Sequence, residues 1–401
     1  MPGLAHANLG QREMVATAEQ RMSDSAERFH LEVPEGELQE LRRRLSQTRW
    51  PEKEPVGNWT QGVPLERLQA LCEYWRTRYD WRRCEAMLNG FGQYRIQVQG
   101  LGIHFLHIRS REPKAIPLIM THGWPGSVIE FHKVVGPLTD PVAHGGSAAD
   151  AFHLVIPSLP GFAFSDKPNT TGWGIERIAD AWAELMRRLG YDQFAAQGGD
   201  WGAAVTKLIA QHKARGCIGI HVNMPLVAPI PEDAQNATPE ERKIFADMEK
   251  FDKEGSAYGR LQNTRPQTLG YALADSPVGQ AAWIYEKLHA WSDNPGTPEQ
   301  IFTLDEMLDN IMLYWLTNTG ASSARLYWES WVAAFVSAPI DLPVGVSVFP
   351  GDPIRSSRRW AERFFKNIVY WSDMPRGGHF AAFEQPAAFV RELRNSFRPL
   401  R

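Results

Sequence analysis

The sequence predicts an α/β protein: a mostly parallel sheet flanked by helices, with a helical lid inserted late in the chain and an extension at its start. Three observations predict it. From Ile116 onward, short apolar runs alternate with helical segments, as in a parallel sheet covered by helices. The alternation lapses between about residues 223 and 339, where the chain becomes helix-rich and aromatic, and resumes at Val344. Between the two halves stands Gln197-Gly198-Gly199-Asp200-Trp201-Gly202-Ala203, a glycine-rich turn joining an apolar run to a helix-compatible one.

Composition bounds the class. The 401 residues, 43% hydrophobic and 22% charged, describe an ordinary globular protein with a large core. A formal net charge of -3 gives no reason to expect nucleic acid or an anionic membrane as partner. Cys72, Cys84 and Cys217 are an odd number without metal-ligand spacing, which suggests free thiols in a reducing, cytoplasmic setting. No apolar run reaches transmembrane length, and the first 25 residues lack the apolar core of a signal peptide, so no membrane anchor is expected. The 15 tryptophans must be buried or must line an apolar pocket.

In chain order, residues 1–28 read as a mobile polar tail without apolar period. Residues 29–110 form an N-terminal extension with the first strands. In it Leu38, Leu41 and Leu45 recur at helical spacing, as do Leu65, Leu68, Cys72, Trp75 and Tyr79. Residues 94–99 and 103–108 read as two strands joined by the turn Gly100-Leu101-Gly102. The first part of the core spans 111–225, with strands expected at 116–120, 152–156, 194–196 and 218–222. Ile175, Ile178, Ala179, Trp182, Leu185, Met186 and Leu189 share one helical face ahead of the glycine-rich turn. The lid spans 226–339 and the second part of the core 340–401, with strands at 344–349 and 367–371.

Strand, sharp glycine-rich turn, then helix is the layout of a nucleophile elbow, with Asp200 where serine is usual. Asp is also a favoured helix N-cap, so that window alone admits both roles for Asp200. The α/β-hydrolase sheet orders its triad as nucleophile, acid, histidine, and Asp200, Asp352 and His379 satisfy that order. Each follows an apolar run, where loops at the carboxyl edge of a sheet converge. Pro350-Gly351-Asp352-Pro353 is also good turn chemistry, and a histidine is often a satisfied core residue; the joint occurrence favours catalysis. His122-Gly123-Trp124-Pro125 follows the 116–120 strand, the position that donates one oxyanion-hole amide in this fold. The two donors would be the Trp124 and Trp201 amides. No metalloprotease, phosphate-loop or dinucleotide motif is present, so no metal and no cofactor is expected.

The segments Arg49-Trp50-Pro51, Tyr79-Asp80-Trp81-Arg82, His122-Gly123-Trp124-Pro125-Gly126-Ser127 and Gly198-Gly199-Asp200-Trp201-Gly202 carry a resemblance. So do Leu273-Ala274-Asp275-Ser276-Pro277, Tyr314-Trp315-Leu316-Thr317-Asn318 and Arg376-Gly377-Gly378-His379-Phe380-Ala381-Ala382. Together they resemble the microsomal and juvenile-hormone epoxide hydrolases of the α/β-hydrolase fold, over nearly the whole chain. Microsomal members carry an N-terminal membrane anchor where this chain has a polar tail, so a soluble enzyme is expected. The resemblance implies an apolar epoxide as substrate, opened by Asp200 through a covalent alkyl ester that His379, oriented by Asp352, hydrolyses with water. It also implies two lid tyrosines as proton donors, matching Tyr258 and Tyr327; these, with Trp124 and Trp201, would contact the substrate. Tyr271, Tyr285 and Tyr314 are expected to pack.

A haloalkane dehalogenase also uses an Asp nucleophile followed by Trp, but needs no phenolic acid; Trp124 and the two tyrosines favour the epoxide. An esterase would carry Ser at 200. A non-catalytic binder of apolar ligands would not need Asp200, Asp352 and His379 together. The physiological epoxide, the stereochemical preference and the oligomeric state, a homodimer included, stay open at this level.

Overall fold

The computed structural model describes residues 25–401. Its strands are β1 (Glu27–Arg28), β2 (Gln93–Val98), β3 (Leu101–Ile108), β4 (Ile116–Thr121), β5 (Phe152–Pro157), β6 (Phe194–Gly198), β7 (Cys217–Val222), β8 (Val344–Val348) and β9 (Ile368–Asp373). They form one sheet in the order β1-β2-β3-β5-β4-β6-β7-β8-β9. Pairing is antiparallel from β1 to β5 and parallel from there to β9. This is the α/β-hydrolase fold, a mostly parallel sheet flanked by helices. The central strands β4 to β8 are buried almost throughout, which is why they read as continuous apolar runs rather than alternating ones.

Two expectations are corrected at the amino-terminal edge. Residues 1–24 of the expected tail lie outside the described residues, but Glu27 and Arg28 pair with Arg95 and Tyr94 as an edge strand. The hairpin between β2 and β3 turns on two residues, Gln99 and Gly100, at φ 51° and 80°. Two consecutive positive φ values give the mirror-image turn whose twist suits a tight hairpin, so Leu101 and Gly102 belong to β3.

The helix Ile175–Arg188 buries the predicted stripe, and Leu189 is its C-cap rather than its last turn. It packs beside the helix Trp201–Gln211, which is buried on nearly every side. Gly202 makes that possible: a β-carbon there would overlap the Thr121 carbonyl oxygen of β4.

Between β7 and β8 the chain forms helices Pro231–Gln235, Pro239–Lys250, Ala257–Thr264, Pro266–Asp275, Pro277–Trp291, Leu304–Thr317 and Gly320–Ser330. Capping boxes at Thr238 with Glu241 and Thr303 with Glu306 start two of them. The N-terminal extension clasps this insertion. Tyr79 Oη donates to Asp309 Oδ1 at 2.7 Å, Arg83 Nη2 reaches the same carboxylate at 2.7 Å, and Tyr74 Oη donates to Asp305 Oδ1 at 2.9 Å.

The three cysteines are buried and unpaired, and burial pushes the Cys72 and Cys217 thiols up to about 12, which leaves them inert. Tyr285 and Tyr314 are buried as expected, but Tyr271 is 69% exposed rather than packed in the core. Trp328, 52% exposed, lies outside the core and lines an open surface cleft with Pro160, Trp173 and Leu326. Among the described residues no helix is long and apolar enough to cross a membrane.

Candidate active site

β6 ends at Gly198, and two residues later Asp200 sits at φ 53°, ψ -130° before the helix Trp201–Gln211 begins. That conformation costs a non-glycine residue about 1–3 kcal/mol and persists only where the surroundings enforce it. Asp200 occupies the N-cap position, yet its side chain makes no capping hydrogen bond. Its Oδ1 accepts instead from the Trp124 backbone amide at 2.8 Å. The carboxylate and the loop after β4 touch so closely that a β-carbon at Gly123 would overlap Asp200 Oδ1. Trp201 opens the helix, so its amide is one of those without an intrahelical acceptor.

The loops after β8 and β9 bring two further side chains to the same edge. His379 Nε2 lies 3.4 Å from Asp200 Oδ2, and His379 Nδ1 lies 3.3 Å from Asp352 Oδ2. These are ion-pair separations rather than aligned hydrogen bonds. Asp352 Oδ1 accepts from the Ile354 amide at 3.0 Å, so the turn chemistry of Pro350-Gly351-Asp352-Pro353 and the approach to histidine coexist in one residue. Burial pulls the His379 imidazole toward the neutral form, but Asp352 and then Asp200 outweigh it and hold its value well above the ordinary one.

Glu384 fixes the histidine loop from below. Its carboxylate accepts from the amides of Gly378, Phe380 and Asp293 at 2.9, 2.9 and 2.8 Å. The His379 amide donates to the Trp291 carbonyl at 2.8 Å, and the Trp291 ring meets the imidazole edge-on at 4.9 Å. Sequence reasoning missed both residues; Trp291 was visible only as one lid aromatic among many, and Glu384 only as an acid five residues beyond His379.

The lid closes the site from above. The Tyr258 ring stacks on Trp124 at 5.1 Å and 10°, and Tyr327 meets Trp201 edge-on at 4.7 Å. The two tyrosine rings stand 5.8 Å apart at 80°. Both phenols are raised above their ordinary value, chiefly by burial and then by neighbouring charge, so both keep their protons. With Asp200, Met224, Trp331 and Phe335 they line one narrow, largely apolar cavity. All seven side chains singled out from the sequence, Asp200, Asp352, His379, Trp124, Trp201, Tyr258 and Tyr327, therefore converge on one place. A larger cleft of about 720 Å³ lies along residues 43–55 and 275–278, but it is open and partly charged, and none of these groups lines it. Among the described residues no group of three or more His, Cys, Asp or Glu is arranged to hold a metal.

The arrangement can do three things: present a carboxyl group beside an amide donor, offer two buried phenols across an apolar space, and hold an imidazole between two acidic side chains. Residues 26–131 match the family described as "Epoxide hydrolase N terminus", and residues 116–330 the one described as "alpha/beta hydrolase fold". A Stigmatella aurantiaca protein provisionally named as an epoxide hydrolase is 60% identical, over 93% of this chain and 85% of its own. Epoxide hydrolase 1 of Oryctolagus cuniculus is 33% identical, over 92% of this chain and 88% of its own. The crystal structure of juvenile hormone epoxide hydrolase from Bombyx mori superposes with a TM-score of 0.86 at 30% identity, over 94% of this chain and 95% of its own.

Proposed function

The chain belongs to the epoxide hydrolases of the α/β-hydrolase fold, in the branch of the microsomal and juvenile hormone enzymes, and on that premise we propose how its own residues carry the reaction, an epoxide and water giving a vicinal diol. The observation that carries the reading is that the Asp200 carboxylate and the Tyr258 and Tyr327 phenols line the same apolar cavity.

Asp200 attacks one epoxide carbon, the carbon–oxygen bond on that side breaks, and an alkyl ester forms. The departing alkoxide is far more basic than a phenolate, so it takes a proton from one tyrosine while the other hydrogen-bonds to it. Apolar walls suit the hydrocarbon part of the substrate and strengthen both phenolic hydrogen bonds.

Ester hydrolysis follows. His379 removes a proton from water, and the hydroxide adds to the ester carbonyl carbon. The resulting oxyanion is stabilised by the Trp124 and Trp201 amides. Collapse breaks the bond to the alkyl oxygen, which takes the proton from His379 and leaves as diol. Asp200 is left protonated, and that proton returns to the tyrosine phenolate, so the enzyme is restored. Asp352 steadies the imidazolium that exists between the two transfers.

The test is the origin of the oxygen. In a single turnover with enzyme in excess in ¹⁸O-water, the diol should be mostly unlabelled and the Asp200 peptide labelled. Labelled diol with an unlabelled peptide would mean direct attack by water and would overturn the covalent course.

A further inference from the structure

Asp200 separates two chambers. Above it lies the apolar cavity with the phenols; behind it lies a second cavity of about 10 Å³, close to the room one water molecule needs. The two share Asp200 alone among their lining residues. Besides Thr121 and His122, whose polar atoms are engaged by Trp182 and by the Leu159 and Gly123 backbone, the polar side chains of the second chamber are those of Asp200, His379, Glu130, Gln197 and Asn223. We propose that this chamber seats the water that hydrolyses the ester, and that Glu130 holds this water opposite His379. The inference rests on the covalent course proposed above.

Glu130 is placed there by its loop. The carboxyl lies directly against Gly126, where a β-carbon would overlap Glu130 Oε1. That loop is tied to the lid helix Leu304–Thr317: Ser127 Oγ donates to Asn310 Oδ1 at 2.7 Å, Asn310 Nδ2 to the Pro125 carbonyl at 2.8 Å, and Tyr314 Oη to the Gly126 carbonyl at 2.7 Å. The residue as a whole keeps some exposure, but its carboxyl end is desolvated. Burial, opposed by His379 and supported by Asp200 and Glu384, pushes that carboxyl up to about 8. At neutral pH it is an uncharged acceptor and donor that does not repel an oxyanion forming nearby.

A hydrolytic water must give one proton to His379, point a lone pair at the ester carbon and place its other proton on an acceptor. Glu130 and Gln197 supply acceptors. Gln197 Nε2 is committed to Asn223 Oδ1 at 3.0 Å, while its Oε1 is buried with no hydrogen-bond partner. In the hydrolysis step the water then loses one proton to His379 as its oxygen adds to the carbonyl carbon, its remaining proton staying hydrogen-bonded to Glu130 or Gln197. No redox partner is needed.

The experiment uses Glu130→Leu and Glu130→Gln in the full-length enzyme with styrene oxide, following ester formation and decay by quenched-flow intact mass. Glu130→Leu should slow ester decay by about 10–10²-fold, the effect of one lost buried hydrogen bond on a transition state, with ester formation within about threefold of the parent. Glu130→Gln, a neutral isostere, should stay within about threefold in both steps. Should Glu130→Leu fail to fold, Glu130→Met carries the same forecast. Normal ester decay in the apolar variants, or equal loss in both steps, overturns the assignment. His379→Gln run in parallel separates the two readings: adduct there with normal decay in Glu130→Leu sinks the water site alone, whereas no adduct in His379→Gln sinks the covalent course and the site with it.

Discussion

The Trp124 amide donates to Asp200 Oδ1 at 2.8 Å while the ring of the same tryptophan stacks on Tyr258 at 5.1 Å. One residue thus holds the carboxylate through its backbone and one of the two phenols through its side chain.

Asp200→Ala removes the proposed nucleophile, a small side chain bordered by two cavities. Diol formation should fall to the uncatalysed level while circular dichroism and the thermal transition stay near those of the parent. Substantial remaining turnover would take Asp200 out of the reaction.

Tyr327→Phe and Tyr258→Phe each delete one buried donor without changing ring shape. Each should slow ester formation by on the order of 10–10³-fold, and the pair together should nearly abolish it. Ester formation at the parental rate in either single variant would take that phenol out of the ring-opening step.

His379→Gln should form the ester and fail to hydrolyse it, so a protein adduct equal in mass to the epoxide should accumulate. Asp352→Asn should do so less completely, because it disturbs only the charge and orientation of the imidazole. Intact-mass spectrometry after one substrate equivalent reads both; a wild-type steady state in either contradicts the assigned role.

The pH dependence should differ between enzyme and intermediate. In the free enzyme burial lowers the His379 value, but Asp352 and Asp200 together hold it well above 6.5. The proposed esterification would remove the Asp200 charge, so the imidazole should titrate lower in the ester and be more fully the neutral base at a given pH. Single-turnover ester decay should rise with pH to a plateau at an apparent value below that of His379 in the free enzyme, measured by NMR. An equal or higher value would contradict the pairing. The same raised value contributes folding stability that is complete below about 6.5 and lost as pH rises through the folded value. His379→Gln should therefore weaken the alkaline fall in melting temperature.

Asp200, Asp352 and His379 were legible because each lies just past a strand whose apolar run is continuous, and a parallel sheet gathers its carboxyl ends at one edge. The lid was harder. Its helical periodicity marks a buried face but not what that face meets, so Tyr271 looked as well placed for packing as Tyr285 and is 69% exposed. Tyr258 and Tyr327 were reached through resemblance, since nothing in their spacing brings them over Asp200. Glu130 and Glu384 were hidden for a related reason: their surroundings are assembled from segments far apart in the chain, and each alone reads as an ordinary surface acid.

The stack of Tyr258 on Trp124 has a bearing on how substrate comes and goes. Any lid movement that carried Tyr258 outward would break a ring pair worth about 0.5–1.5 kcal/mol, and would at the same moment withdraw a phenol proposed to protonate the opening epoxide. Lid opening and ring opening would then oppose one another through a single contact. An epoxide would meet both proposed donors only with that ring pair formed, and a substitution that loosened the pair to speed product release would slow ring opening.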